Sequence, residues 1–171
     1  MSKRIIFSLS AIAALALAFL PSNAIAQQKP LKEQIVGTWT LASWEQTYPD
    51  GRKDQAFGTP PKGVNMFGAD GRFTLIFLRP DLPKVASNDR IKQTPQESQA
   101  ISLGSIAYYG TYTVNEQEKS LDLKLDGTTF TNQLGMPQKR IVTLINNDEL
   151  RYRNPTATSG GSIEVALKRA K

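Results

Sequence analysis

The chain has 171 residues with no Cys and no His, and its 21 Lys and Arg against 15 Asp and Glu give a formal charge of +6. Without thiols or imidazoles there is no disulfide, no Cys nucleophile, no imidazole base and no ordinary zinc site. The basic residues fall in pairs beside strand positions (Lys139-Arg140, Arg151 with Arg153, Lys168-Arg169), a pattern of solvated faces rather than the clustered patch that nucleic acid requires.

At the N-terminus, Lys3-Arg4, an apolar run over 5–20, a break at Pro21-Ser22 and the small residues of Ala24-Ile25-Ala26 form the three parts of a secretory signal peptide. Cleavage is expected after Ala26, which places the protein in the periplasm or outside the cell. The apolar run is shorter than the roughly 20 residues a membrane-spanning helix needs, so no stable membrane anchor is expected. The missing Cys excludes a thiol-linked lipid. Residues 27–171 then form one domain, and loss of Lys3 and Arg4 lowers the formal charge from +6 to +4.

After a flexible start, Leu31-Lys32-Glu33-Gln34 reads as one helical turn with Pro30 at its first position. The first strand, 35–48, is rich in Trp, Thr and Leu. Trp39 and Leu41 share one parity and Trp44 and Tyr48 the other, so the strand is either buried on both faces or carries a bulge near Ala42-Ser43; the bulge is preferred. Pro49-Asp50-Gly51 turns the chain into a Pro/Gly-rich loop, where Phe57 either covers a cavity mouth or packs on a neighbouring loop. Strands follow over 63–67 and 72–79, joined by a turn at Ala69-Asp70-Gly71-Arg72. The second places Phe73, Leu75, Phe77 and Arg79 on the face expected inside.

Thr94, Pro95 and Glu97 spell a capping box that opens a helix over 95–103, with Gly104 as its stop. Its narrow apolar stripe (Ala100, Ile101, Leu103) should lie against the body or over one opening. The strand 105–114 carries Ile106, Tyr108, Gly110, Tyr112 and Val114 on one face. Leu121, Leu123 and Leu125 alternate with charged residues, so that strand has one wet face. A turn is expected at Asp126-Gly127, then short strands over 128–133, 140–145 and 150–153, a loop over 154–161, and a last strand carrying Ile163, Val165 and Leu167. Eight or nine strands with short sequential turns and one short helix predict an all-β antiparallel up-and-down barrel, with a β-sandwich as the competing arrangement.

Val36-Gly37-Thr38-Trp39 with Ser43-Trp44-Glu45, then Asp50-Gly51-Arg52, Phe57-Gly58, Gly63, Asp70-Gly71-Arg72, Arg79-Pro80 and Tyr109-Gly110-Thr111-Tyr112 recur in that order. In these residues the chain resembles the bacterial and fungal lipocalin-like domain family, small calycin-type β-barrels. The motifs cover most of 36–114; the C-terminal third fits only as generic strands. The resemblance implies a lipocalin-like cup for a small apolar molecule and a structural role for Trp39 at the closed end.

A small hydrophobic or amphipathic ligand would need apolar walls with a few polar groups. The inward faces supply Trp44, Tyr48, Phe73, Phe77, Tyr108 and Tyr112 as candidate walls, and Arg79 at one rim as a partner for a ligand carboxylate or phosphate. The same aromatics would equally fill a solid core. No cofactor and no metal is expected. For a cofactor-independent isomerase or cyclase the chain offers Glu45, Asp81, Asp89 and the tyrosines, with no pair at a spacing that requires catalysis. A cell-envelope interaction module without a ligand is the third reading. Oligomeric state is not readable from the sequence.

Overall fold

The computed structural model describes residues 29–171; the expected signal peptide lies outside the described residues. Nine strands follow in chain order: β1 Gly37–Thr47, β2 Lys53–Asp54, β3 Lys62–Phe67, β4 Arg72–Leu78, β5 Ser105–Asn115, β6 Ser120–Thr128, β7 Gln138–Ile145, β8 Glu149–Asn154 and β9 Ser162–Arg169. All neighbours are antiparallel, in the order β2-β1-β3-β4-β5-β6-β7-β8-β9, and β1 also pairs with β9 from Trp39↔Arg169 to Thr47↔Ser162. That last pairing closes eight strands into an up-and-down barrel and rules out the sandwich. The two-residue β2 is an addition beside the end of β1, at Gln46↔Asp54 and Thr47↔Lys53.

The parity conflict in β1 is resolved by a bulge. Leu41 faces Leu167 and Ser43 faces Ala166, so Ala42 is the extra residue. Before it Trp39 and Leu41 point inward; after it Trp44 and Gln46 do, while Ala42 and Ser43 both lie outside.

One end of the barrel is plugged by α1, Leu31–Ile35. Leu31 and Ile35, one turn apart, are both buried, and the N–H groups of Leu31 and Lys32 donate to the Glu116 carboxylate in the β5–β6 turn at 2.8 and 2.9 Å. Trp39 is fully buried beneath this turn and its indole N–H donates to the Ile35 carbonyl at 2.8 Å. The Arg169 guanidinium lies over the Trp39 ring at 4.0 Å and donates to the carbonyls of Asn147, Val36 and Gln34. Gly37, at φ +134°, leaves room for it: a Cβ there would stand 2.7 Å from Arg169 Nη1. The reading of Lys168-Arg169 as a solvated pair therefore holds only for Lys168.

The capped helix is α2, Pro95–Leu103, with both halves of the capping box formed. It lies against β5 with Ile101 half-buried, but Ala100 and Leu103 are exposed and none of its residues lines the interior cavity. The expected turn at Asp126-Gly127 and strand over 128–133 are corrected. β6 continues through Thr128 with Asp126 as the extra residue of a second bulge, and Thr131–Gln133 form a 3-10 turn. Gly127 is small because the Tyr109 ring lies across it, 2.5 Å from where a Cβ would stand, and not because the chain turns there. The Thr128 hydroxyl accepts the Phe130 N–H and donates to Gln133 Oε1, which ends the strand.

Candidate functional site

The interior is divided along the barrel axis. Near α1, Trp39, Leu41, Phe67, Phe73, Tyr112, Leu121, Leu150 and Leu167 are buried and pack solidly, with Phe67 edge-on to Tyr112 at 5.2 Å and stacked on Phe73 at 6.3 Å. Toward the opposite end the side chains draw apart and leave a cavity of about 280 Å³. Its walls come from β1 (Trp44, Gln46), β4 (Leu75, Phe77), β5 (Ile106, Tyr108), β7 (Gln138, Arg140), β8 (Tyr152, Asn154) and β9 (Ile163, Val165). Loops form its rim. Phe57 folds in from the Pro/Gly-rich loop, edge-on to Trp44 at 5.2 Å and to Phe77 at 6.1 Å. The loop between β8 and β9 contributes Thr156, Thr158 and Ser159, and it is tied down by Gln46, which donates to the Gly160 carbonyl at 2.7 Å and accepts from Ser159 at 2.9 Å.

At the depth where hollow gives way to solid lies a polar cluster. Arg140 is 4 % exposed. Its guanidinium donates to the Lys139 carbonyl at 2.9 Å, to Gln138 Oε1 at 3.1 Å and to the Tyr108 hydroxyl at 3.3 Å. Beside it the Tyr152 hydroxyl accepts from Asn65 Nδ2 at 3.3 Å, and Asn65 Oδ1 is buried with no partner. Burial, and next the neighbouring Tyr108, push Tyr152 well above the usual phenol range, while Arg140 and the Asn65 bond oppose them; the hydroxyl stays protonated and able to donate. Arg140 is the one charged residue on the cavity wall among the described residues.

Residues 36–170 match the lipocalin-like domain family. The chain belongs to that family. No curated protein matches it in sequence. Among solved structures, a lipocalin-like protein from Bacteroides uniformis is similar at 14% identity and TM-score 0.44, over 80% of this chain and 99% of that one. A redesigned β-barrel (13% identity, TM-score 0.45, 84% of this chain and 98% of that one) and a de novo fluorescence-activating β-barrel (11%, 0.42, 83% and 99%) are similar too.

In this lipocalin-like barrel, the seven candidate residues part company. Trp44, Tyr48, Phe77 and Tyr108 line the cavity together. Phe73 and Tyr112 belong to the solid half, and the Tyr112 hydroxyl is spent on the Gly68 carbonyl at 2.7 Å. Burial, with a smaller effect of Asp70, raises the Tyr112 pKa. Arg79 is off the wall altogether. β4 ends at Leu78, the Arg79 N–H bonds the Gly104 carbonyl, and the exposed guanidinium grips Asp81 through Nε at 3.0 Å and Nη2 at 2.9 Å. It is replaced on the wall by Arg140, which the sequence reading assigned to a solvated pair. On β7 the inward parity is Gln138, Arg140, Val142; only Lys139 of that pair faces out, where it bridges to Glu118. Gln46 was legible in principle, because it shares the parity of Trp44 and Tyr48 beyond the bulge.

Glu45, a candidate acid, faces away from the cavity and pairs with Lys53 at 2.6 Å. Asp81 is held by Arg79, and Asp89 lies in an exposed loop where it caps the Ile91 N–H. No Asp or Glu lines the cavity among the described residues.

Proposed function

We propose that this protein is an exported carrier or sensor of a small amphipathic molecule, held in the hollow half of the barrel. The observation that carries the reading is the division of the interior: a domain that needed only stability would pack both halves to the density of the first. Here the wall toward the mouth combines aromatic and aliphatic surface with a few buried polar groups, the composition of small-molecule sites, at a volume near the lower end of the roughly 300–1,000 Å³ such sites span. Export is supported by the signal-peptide pattern of residues 1–26.

Native mass spectrometry of protein purified gently from its own compartment tests both parts. The expected result is a chain beginning at Gln27 that carries a reproducible, displaceable extra mass of roughly a few hundred daltons, the size class such pockets take. A chain that retains residues 1–26 would overturn export. A mass equal to the bare polypeptide under all gentle conditions, with no uptake of added amphiphiles, would overturn the cup.

A further inference from the structure

The charge balance of the cavity narrows the chemistry of its occupant; this step rests on the carrier reading above. Arg140 is buried, and a guanidinium keeps its charge at any accessible pH. Of its five N–H groups three have acceptors, and those acceptors are a carbonyl, an amide and a phenol, all neutral. No carboxylate lies within 4.0 Å of it among the described residues, although the same protein pairs Arg52, Arg79, Arg151 and Arg153 with acids on its surface. A buried cation without a counter-charge is unfavourable unless an anion completes it.

The neighbours are arranged to receive that anion. The Tyr108 hydroxyl accepts from Arg140 and the Tyr152 hydroxyl accepts from Asn65, so each keeps its own proton to donate. Beside the Arg140 charge, these two hydroxyls supply donors for the two oxygens of one carboxylate. Above them Trp44, Phe57, Phe77, Ile106 and Ile163 form an apolar collar. We propose that the occupant is an amphiphile with a single carboxylate, seated head-down on Arg140 with its apolar part against this collar. A phosphate monoester carries roughly −1.5 to −2 charges at neutral pH, more than one guanidinium balances, and among the described residues no second cation lines the wall.

Isothermal titration calorimetry on folded protein stripped of co-purifying amphiphiles tests this with three probes of equal tail: decanoate, decanol and decyl phosphate. Decanoate is expected to bind about tenfold or more tightly than either of the others, the scale of hydrogen bonds to a charged group. In Arg140→Gln, with its fold checked by near-ultraviolet circular dichroism, the preference for decanoate over decanol should vanish while decanol affinity stays within about twofold, because the collar is untouched. Decanol binding as tightly as decanoate to the unaltered protein would overturn the carboxylate and leave the cup standing. Decyl phosphate binding as tightly as decanoate would overturn the single charge. Failure of all three to bind would overturn the cup together with its head group. The head-group comparison uses the unaltered protein, so it stands even if the variant does not fold.

Discussion

Two inward-facing arginines have opposite settings. Arg169 is held by three backbone carbonyls and the Trp39 ring, every contact local to the closed end, and it seals the junction of α1, β1 and β9. Arg140 has one backbone carbonyl and a wall of neutral side chains. Replacing Arg169 by Ala should therefore act on stability alone. It uncaps the Gln34 and Val36 carbonyls and strips the cover from Trp39, an expected loss of about 2–4 kcal/mol in urea unfolding. Little of this contrast was legible beforehand. Along Lys139-Arg140-Ile141-Val142, hydropathy favours Ile141 inside, whereas the barrel takes Arg140 and Val142 and leaves Ile141 half-buried. A hollow wall relaxes the rule that charge faces out, because a side chain there borders open space and polar neighbours in place of packed apolar ones. Trp39, by contrast, could be placed in advance, because a buried anchor obeys the ordinary rule.

The elements divide in the same way. Runs with one dry face (β4, β5, β9) and the capping box of α2 were readable from periodicity and spacing, which depend on neighbours in the chain. The end of β6 was not, because Gly127 answers to the Tyr109 ring on another strand. The capping box also carries a dependence on acidity. Glu97 accepts the N–H of Ala86 and of Thr94, each at 2.8 Å, and these bonds, the Ala86 bond first, hold its carboxyl below the usual range. A carboxyl whose folded value is depressed contributes stability that is complete above its unfolded value and is lost as pH falls through the folded one. Amide exchange at Ala86 and Thr94 should accordingly accelerate as pH drops below about 4, the ordinary glutamate range, once the intrinsic pH dependence of exchange is removed. Glu97→Gln should flatten that response and leave the barrel strands unchanged.

Over the whole molecule, closure depends on the first and last long strands meeting, a pairing between residues more than a hundred positions apart that local patterns suggest only as a count of strands. The half-solid interior then makes stability and occupancy separable. Leu150, fully buried in the solid half, should cost about 2–5 kcal/mol when cut to Ala. Ile163, half-buried on the cavity wall and already facing empty space, should cost about 1 kcal/mol because fewer packed neighbours are lost, while its loss weakens uptake of an apolar tail. Chemical denaturation and decanol titration of the two variants give the contrast directly.

Among the described residues the hollow lies at the end away from α1, with Phe57 and the β8–β9 loop at its rim, so an occupant held as proposed would pass these loops both on entry and on release. The β8–β9 loop is latched to Gln46, on the very strand that carries Trp44, so the width of the doorway and the shape of the wall are mechanically joined. For an occupant held as proposed, release would depend on how often that latch opens as well as on how favourable the interior is. Two occupants of equal affinity but different girth would exchange at very different rates.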